Sequence, residues 1–159
     1  MGARNAFGQV NDVRSPYAYP TASTLAFKNK GGKFVTINTS GVIALAVATA
    51  KAIIGWAEVG EFTCVAGDKI TVNTARDAVY EMPIDAAQSE TQLKALLGQC
   101  CDIIVTGGIQ YADYDASIDD TLQIVGYHYF GSAAGEQTLL VRINTYTVDY
   151  YFSQSLGVA

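Results

Sequence analysis

The most constraining feature of this sequence is a run of alternating apolar and polar residues at 69–74, KITVNT. A period of two places successive side chains on opposite faces of an extended chain, so the run predicts a half-buried β-strand. The wider segment 51–84 predicts a strand before the turn at Gly67, then the alternating strand, then a short strand closed by Pro83. We therefore expect this segment to be the scaffold of a sheet.

Four apolar side chains in the segment are expected to hold that scaffold together: Ile53, Trp56, Ile70 and Val72. Further strands are predicted at 33–39, 42–48, 101–105, 109–111, 122–129 and 138–143, with a possible last strand at 144–152. Val35 and Ile37 share one face of the first of these. The second is apolar on both faces, which indicates a strand that is sandwiched or lies partly at an interface. Many short strands with one helix predict a compact, mainly β domain, either a barrel or a sandwich.

The one predicted helix covers about residues 89–98. Ser89 and Gln92 have capping-box spacing, Glu90 and Lys94 are four residues apart, and Gly98 can end the helix. So short a helix needs tertiary support. Three leucines on one face are expected to dock on the sheet: Leu93, Leu96 and Leu97.

Charged residues are few, at 16% of the 159 residues, while 50% are hydrophobic. An average soluble domain has roughly 25% charged residues. A surface with so few charges is typical of a protein covered by a partner or by further copies of itself. The alternative is a sheet protein coated with neutral polar side chains and tyrosine.

The charges are also unevenly distributed. Residues 1–33 hold five basic side chains and one acidic, a net +4, while residues 34–159 hold five basic and fourteen acidic, a net −9. This asymmetry favours docking on an acidic neighbour and disfavours direct binding to nucleic acid. Residues 1–32 predict an extended N-terminal arm before a single β domain at 33–159, and the arm either orders on a partner or folds back on its own domain. Its candidate interface residues are Arg4, Arg14, Tyr17, Tyr19, Phe27, Lys28 and Lys30.

Segments that would indicate a membrane span, a disulfide framework or a metal site are missing from the sequence. No run of about 18 apolar residues occurs, so no membrane partner is expected. Cys64, Cys100 and Cys101 are too few for a disulfide framework, and adjacent cysteines lack metal-ligand spacing. We expect reduced, mostly buried thiols, and no cofactor.

The most site-like constellation is an acidic loop at 113–120. Oxygen ligands at alternating positions can wrap calcium, but Ile118 and Ile124 stand where a calcium loop needs glycine and glutamate. An acidic solvent loop, or an acidic dock for the basic arm, is the favoured interpretation. His128, the single histidine, is expected on a strand surface, because no nucleophile motif and no second histidine accompany it. The sequence therefore predicts that the protein is not an enzyme.

Aromatic residues are concentrated after Gly107. Tyrosine offers a large contact area with a polar tip, which suits interfaces and also carbohydrate stacking. The alternative is that these aromatic residues belong to a half-buried sheet face, where aromatic residues are common. We favour an interface for the C-terminal group Tyr146, Tyr150, Tyr151 and Phe152.

Two stretches resemble the head decoration (cement) proteins of tailed phages. They are IIGWAEVGEF followed by AGDKITVNTARDAVYEMPI, and the later CDIIVTGGIQYADYDASIDDTLQIVGY followed by TLLVRIN. The resemblance implies a β-barrel or β-tulip-like module that sits on a capsid lattice, often as a homotrimer, with its arm across a neighbouring subunit.

The expectation is therefore a structural virion protein, made in the host cytoplasm, that binds the outside of a phage head and cements the major capsid protein lattice. The alternative is a carbohydrate-binding β module with a tyrosine platform and possibly a calcium loop.

Overall fold

A computed structural model describes residues 16–27, 33–48, 50–51, 53–115 and 120–145 of the chain. Twelve strands occur in this part: β1 Pro16–Pro20, β2 Leu25–Phe27, β3 Phe34–Ile37, β4 Ile43–Leu45, β5 Ile53–Ala57, β6 Phe62–Cys64, β7 Lys69–Asn73, β8 Tyr80–Pro83, β9 Cys100–Thr106, β10 Ile109–Asp113, β11 Leu122–Tyr129 and β12 Gln137–Ile143. Helix α1 spans Glu90–Ala95, and a 3₁₀ turn spans Ala134–Glu136. The mainly β prediction with one short helix is confirmed. No helix in these ranges is long and apolar enough to cross a membrane.

The strands form two five-stranded antiparallel sheets and a small ribbon. The first sheet has the order β1-β7-β5-β3-β4, the second has the order β10-β9-β11-β12-β8, and β2 pairs with β6. Within the described ranges neither sheet closes into a barrel, so the sandwich alternative applies.

Each sheet curls until its two edge strands meet at one point. In the first sheet, Thr21 directly after β1 bridges Ile43 at the start of β4. In the second sheet, Ile84 directly after β8 bridges Ala112 of β10. One bridge leaves the barrel open, but it brings opposite edges of each sheet together.

Two hydrophobic clusters lie on opposite faces of the first sheet. One contains Val35, Ile70 and Val72, and it lies between this sheet and the β2–β6 ribbon. The other contains Phe34 and Ile53 and is otherwise built mainly from the second sheet. Because neighbouring residues of β3 enter different clusters, the first sheet is buried on both faces.

The period-two prediction for residues 69–74 is confirmed, since β7 alternates exposed and buried residues. The four predicted scaffold residues divide between the clusters: Ile53 and Trp56 belong to one, Ile70 and Val72 to the other. Strand β6 was missed, because its three residues are too short for a periodic pattern. Gly55 lies so close to β7 that an added Cβ would overlap the carbonyl oxygen of Asn73.

Helix α1 begins as the sequence predicts. Ser89 and Gln92 form a capping box, and the Glu90 and Lys94 side chains lie 3.3 Å apart. Gly98 adopts φ +83° and donates its N–H to Ile124 O at 2.9 Å.

The predicted apolar face of the helix is only partly correct. Leu93 is fully buried and Leu96 packs against the same cluster, but Leu97 is 46% exposed. The chain leaves the helix at Leu96, which is the C-cap, so the helical spacing no longer directs Leu97 toward the sheet.

Residues 16–27, which the sequence assigns to an extended arm, are part of the sheets. Strand β1 pairs antiparallel with β7 along its whole length, from Pro16 opposite Asn73 to Pro20 opposite Lys69. Strand β2 pairs with β6. This part of the predicted arm follows the folded-back alternative, while residues 1–15 and 28–32 lie outside the described ranges.

A buried glutamine joins the two sheets. Gln110 on β10 is 2% exposed, and its Oε1 accepts the Phe34 N–H of β3 at 2.8 Å. Its Nε2 donates to Phe34 O at 2.9 Å and to Ala46 O at 2.8 Å. The amide thus pairs with backbone groups of the other sheet as a further strand would.

Candidate functional site

A cleft of about 570 Å³ with mixed chemistry lies at the junction of the two sheets. It combines two aromatic rings, two carboxylates and a hydroxyl with aliphatic walls, a size and composition typical of ligand sites. No lysine or arginine is found among its described lining residues, which are Trp56, Glu81, Pro83, Ile84, Asp85, Ile109, Tyr111, Ala134, Gly135 and Thr138.

The aromatic wall of the cleft is held rigidly from behind. The Trp56 indole stacks on the Tyr80 ring, with centroids 4.9 Å apart and planes at 14°. The Phe34 ring meets both edge-on, at 5.1 Å from Trp56 and 5.3 Å from Tyr80. Such pairs add to the stability gained from burial, so the indole is a fixed surface.

Tyr80 is unusual within this group. Its hydroxyl is buried and has no hydrogen-bond partner among the described residues. Burial, reinforced by the carboxylates of Glu58 and Asp77, raises the pKa of Tyr80 to about 12. The hydroxyl therefore stays protonated at neutral pH and contributes no charge to the cleft.

Glu81 is the carboxylate with the best-defined position. Thr138 Oγ1 donates to its Oε1 at 2.6 Å, and His128 Nδ1 lies 3.0 Å from the same oxygen. These two hydrogen bonds lower the pKa of Glu81, so it is ionised at neutral pH. His128 lies on the surface of β11 as predicted, with 43% of its side chain exposed.

Further negative charge lies beyond the Tyr111 end of the cleft. Burial, together with the hydrogen bond to Asp115, raises the pKa of Asp113 to about 6, and Asp85 in the cleft wall adds to the effect. The described residues contain no group of three or more side chains arranged to hold a metal ion. Ser117 and Asp119 of the predicted acidic loop lie outside the described ranges.

A second surface feature is the turn between β11 and β12. Phe130 is 77% exposed, the largest exposed fraction of any large apolar side chain described. Its backbone N–H donates to Glu136 O at 2.9 Å. The buried Gln137 amide donates to Gly131 O at 2.9 Å and to Gln88 O at 2.8 Å, and it accepts the Gln88 N–H. The turn therefore presents an aromatic ring to solvent on a fixed backbone.

The candidate interface residues predicted from the sequence have different locations. Tyr17 is 41% exposed, whereas Tyr19 packs against the cluster under the β2–β6 ribbon. Phe27 is 1% exposed in that cluster, so it is core packing and not a surface anchor. The remaining candidates lie outside the described residues: Arg4, Arg14, Lys28, Lys30, Tyr146, Tyr150, Tyr151 and Phe152.

The cysteines are free thiols, as expected. Cys64 and Cys101 are fully buried, and burial raises the pKa of the Cys101 thiol far above its usual range. Cys100 is half-buried and its Sγ accepts from Asn144 Nδ2 at 3.4 Å. Thiols with raised pKa values are poor nucleophiles at neutral pH.

The sequence did not predict the cleft, because its walls come from four separate segments. Its one local signal was Trp56, the single tryptophan, which the sequence assigned to the scaffold.

Comparisons of the chain with protein-family models, curated proteins and solved structures gave no match.

Proposed function

We propose that this chain is a structural virion protein that binds the outside of a phage head and stabilises the lattice of the major capsid protein without catalysis. The proposal rests on the resemblance of the two stretches quoted above, on the low fraction of charged residues and on one structural observation. That observation is the rigid, exposed Phe130 turn.

An aromatic ring on a fixed backbone suits docking. Binding energy at protein interfaces is concentrated in a few residues, and aromatic anchors are over-represented among them. Because Gln137 and Glu136 already hold the turn, little conformational entropy is lost when Phe130 enters a pocket of a partner. Repetition of a modest contact around a shell then gives strong overall attachment.

The decisive experiment is co-sedimentation of the purified chain with undecorated heads, at low and at moderate salt. We expect saturable binding. An absence of binding at both salt concentrations contradicts the proposal. Sedimentation velocity of the free protein tests the homotrimer that the resemblance implies, and a monomer at all concentrations contradicts that part.

Phe130→Ala tests the docking surface itself. Truncation of an anchor ring is expected to weaken head binding at least tenfold, about 1.4 kcal/mol, without lowering the melting temperature. The matched control is Leu97→Ala, a 46% exposed side chain after helix α1. Equal effects of the two variants would show that Phe130 is no anchor.

A further inference from the structure

The cleft at the junction of the two sheets has the chemistry of a site for an extended organic cation. We propose that it binds a linear polyamine, whose ammonium groups pair with Glu81 and Asp85 and whose methylene chain lies on the Trp56 indole. The cleft volume of about 570 Å³ falls within the range of about 300–1,000 Å³ that is usual for small-molecule sites. Head binding plays no part in this site, so the two proposals can fail separately.

The two carboxylates of the cleft stand at either end of one apolar segment. Glu81 lies in β8 and Asp85 follows the end of that strand, so their backbones are at most about 14 Å apart. Pro83 and Ile84 line the cleft between them, and Ile109 adds a further apolar side chain. This order of negative, apolar and negative groups matches a flexible alkyl chain with an ammonium group at each end.

Both carboxylates retain oxygen atoms for a ligand. The hydrogen bonds of Glu81 with Thr138 and His128 both involve Oε1, which leaves Oε2 without a hydrogen-bond partner among the described residues. Asp85 has neither an ion pair nor a side-chain hydrogen bond in the described part of the chain. Hydrogen bonds from a cationic donor to a carboxylate are about twice as strong as those between neutral groups. The free oxygens therefore favour ammonium donors.

The aromatic neighbours of Trp56 cover only one face of its indole. Tyr80 stacks on that face, with ring centroids 4.9 Å apart. The Phe34 centroid is 5.1 Å from Trp56 and 5.3 Å from Tyr80, so Phe34 lies beside the stacked pair and not across the indole from Tyr80. These two rings leave the opposite indole face uncovered, and cations are attracted to such a face.

A neutral ligand suits the cleft less well than a cation. A sugar ring would also stack on the indole, but it would bring no positive charge to Glu81 and Asp85. No lysine or arginine is found in the described cleft lining to supply that charge. Enclosing a carboxylate without a counter-charge is costly in free energy. The charge of the walls therefore favours a polyamine over a carbohydrate.

The single tryptophan reports on the cleft directly, since every change in indole emission comes from Trp56. Spermidine, a linear triamine, should change the emission saturably at constant ionic strength, and isothermal titration calorimetry should give the same dissociation constant. Hexylamine has only one ammonium group and should bind at least about fivefold more weakly. Glucose should not compete with spermidine.

Point variants assign the site to the two carboxylates. Glu81→Gln and Asp85→Asn should each weaken spermidine binding about fivefold, because each removes one charge pair. Glu61→Gln is the matched control, since it changes the net charge equally at an exposed residue that does not line the cleft, and it should leave the affinity unchanged. Far-UV circular dichroism establishes that each variant is folded. The comparison of spermidine with hexylamine uses the unaltered protein, so it holds even where a variant folds poorly.

Three results overturn the assignment. One is the absence of saturable spermidine binding up to millimolar concentration. Another is an equal weakening by Glu61→Gln, which would mean a general attraction of cations to an acidic protein. The third is binding of hexylamine or glucose as tight as that of spermidine, because the cleft would then not recognise two separated charges.

Discussion

Replacing Gln110 is expected to lower the free energy of unfolding more than replacing an exposed polar residue, because Gln110 links the two sheets. In Gln110→Leu the Phe34 N–H and the Ala46 carbonyl lose the partner that they have in the native protein. The Phe34 carbonyl keeps the Ala46 N–H at 2.9 Å. Two buried backbone groups are thus left unsatisfied.

Each unsatisfied buried group costs about 1–3 kcal/mol, so the variant should lose about 4 kcal/mol of unfolding free energy. A domain of this kind has about 5–15 kcal/mol in total. The expected loss is therefore a large part of the stability.

Urea denaturation, followed by circular dichroism and by Trp56 emission, measures this loss. Gln99→Leu is the control, because Gln99 is exposed and its side-chain amide donates to Ala95 O at 2.7 Å, and it should cost less than about 1 kcal/mol. Gln110→Glu should be at least as damaging as Gln110→Leu at pH 7, since a carboxylate would face two carbonyl oxygens, and less damaging at pH 4. If Gln110→Leu loses no more than Gln99→Leu, the amide does not join the sheets as described.

Three further substitutions test separate features. Gly55→Ala should cost about 3 kcal/mol, because its Cβ would overlap the Asn73 carbonyl, whereas Gly60→Ala meets open space and should be neutral; thermal denaturation of both compares them. Tyr80→Phe removes a buried hydroxyl that has no partner among the described residues, so the free energy of unfolding should rise by up to about 1 kcal/mol, and a large loss would reveal a partner. The pKa of Asp113 is raised in the folded state, so the native state binds more protons than the unfolded state between about pH 4 and pH 6, and the stability falls as pH rises through that window. Asp113→Asn should therefore stabilise the protein by about 1 kcal/mol at pH 7, after allowance for solvent screening of a partly exposed group, and it should not stabilise the protein below pH 4. Denaturation at both pH values checks this, and equal gains at both would contradict it.

Local patterns predicted the elements whose residues interact with near neighbours in the sequence. The alternation in β7 and the capping box of α1 are set by side chains within six residues of one another. Strands β1 and β2 have no comparable signal. Strand β1 begins and ends with proline, and β2 has only three residues, so neither shows a recognisable alternation.

Contacts between distant segments were not predictable in this way. A polar residue between apolar ones on β10 resembles a solvent-facing position, and only the approach of Phe34, 76 residues away, makes Gln110 a buried link. The cleft has the same origin, since Trp56 and Thr138 share it only after both sheets have formed.

The pairing of β1 with β7 also has a consequence for synthesis of the chain. A ribosome releases β1 first, but its only described ladder partner is residues 69–73, about fifty residues later. At about 5–20 residues per second, that interval lasts roughly 3–10 s. Through that time β1 lacks the strand with which it pairs. The first sheet can therefore be completed only after residue 73 has emerged.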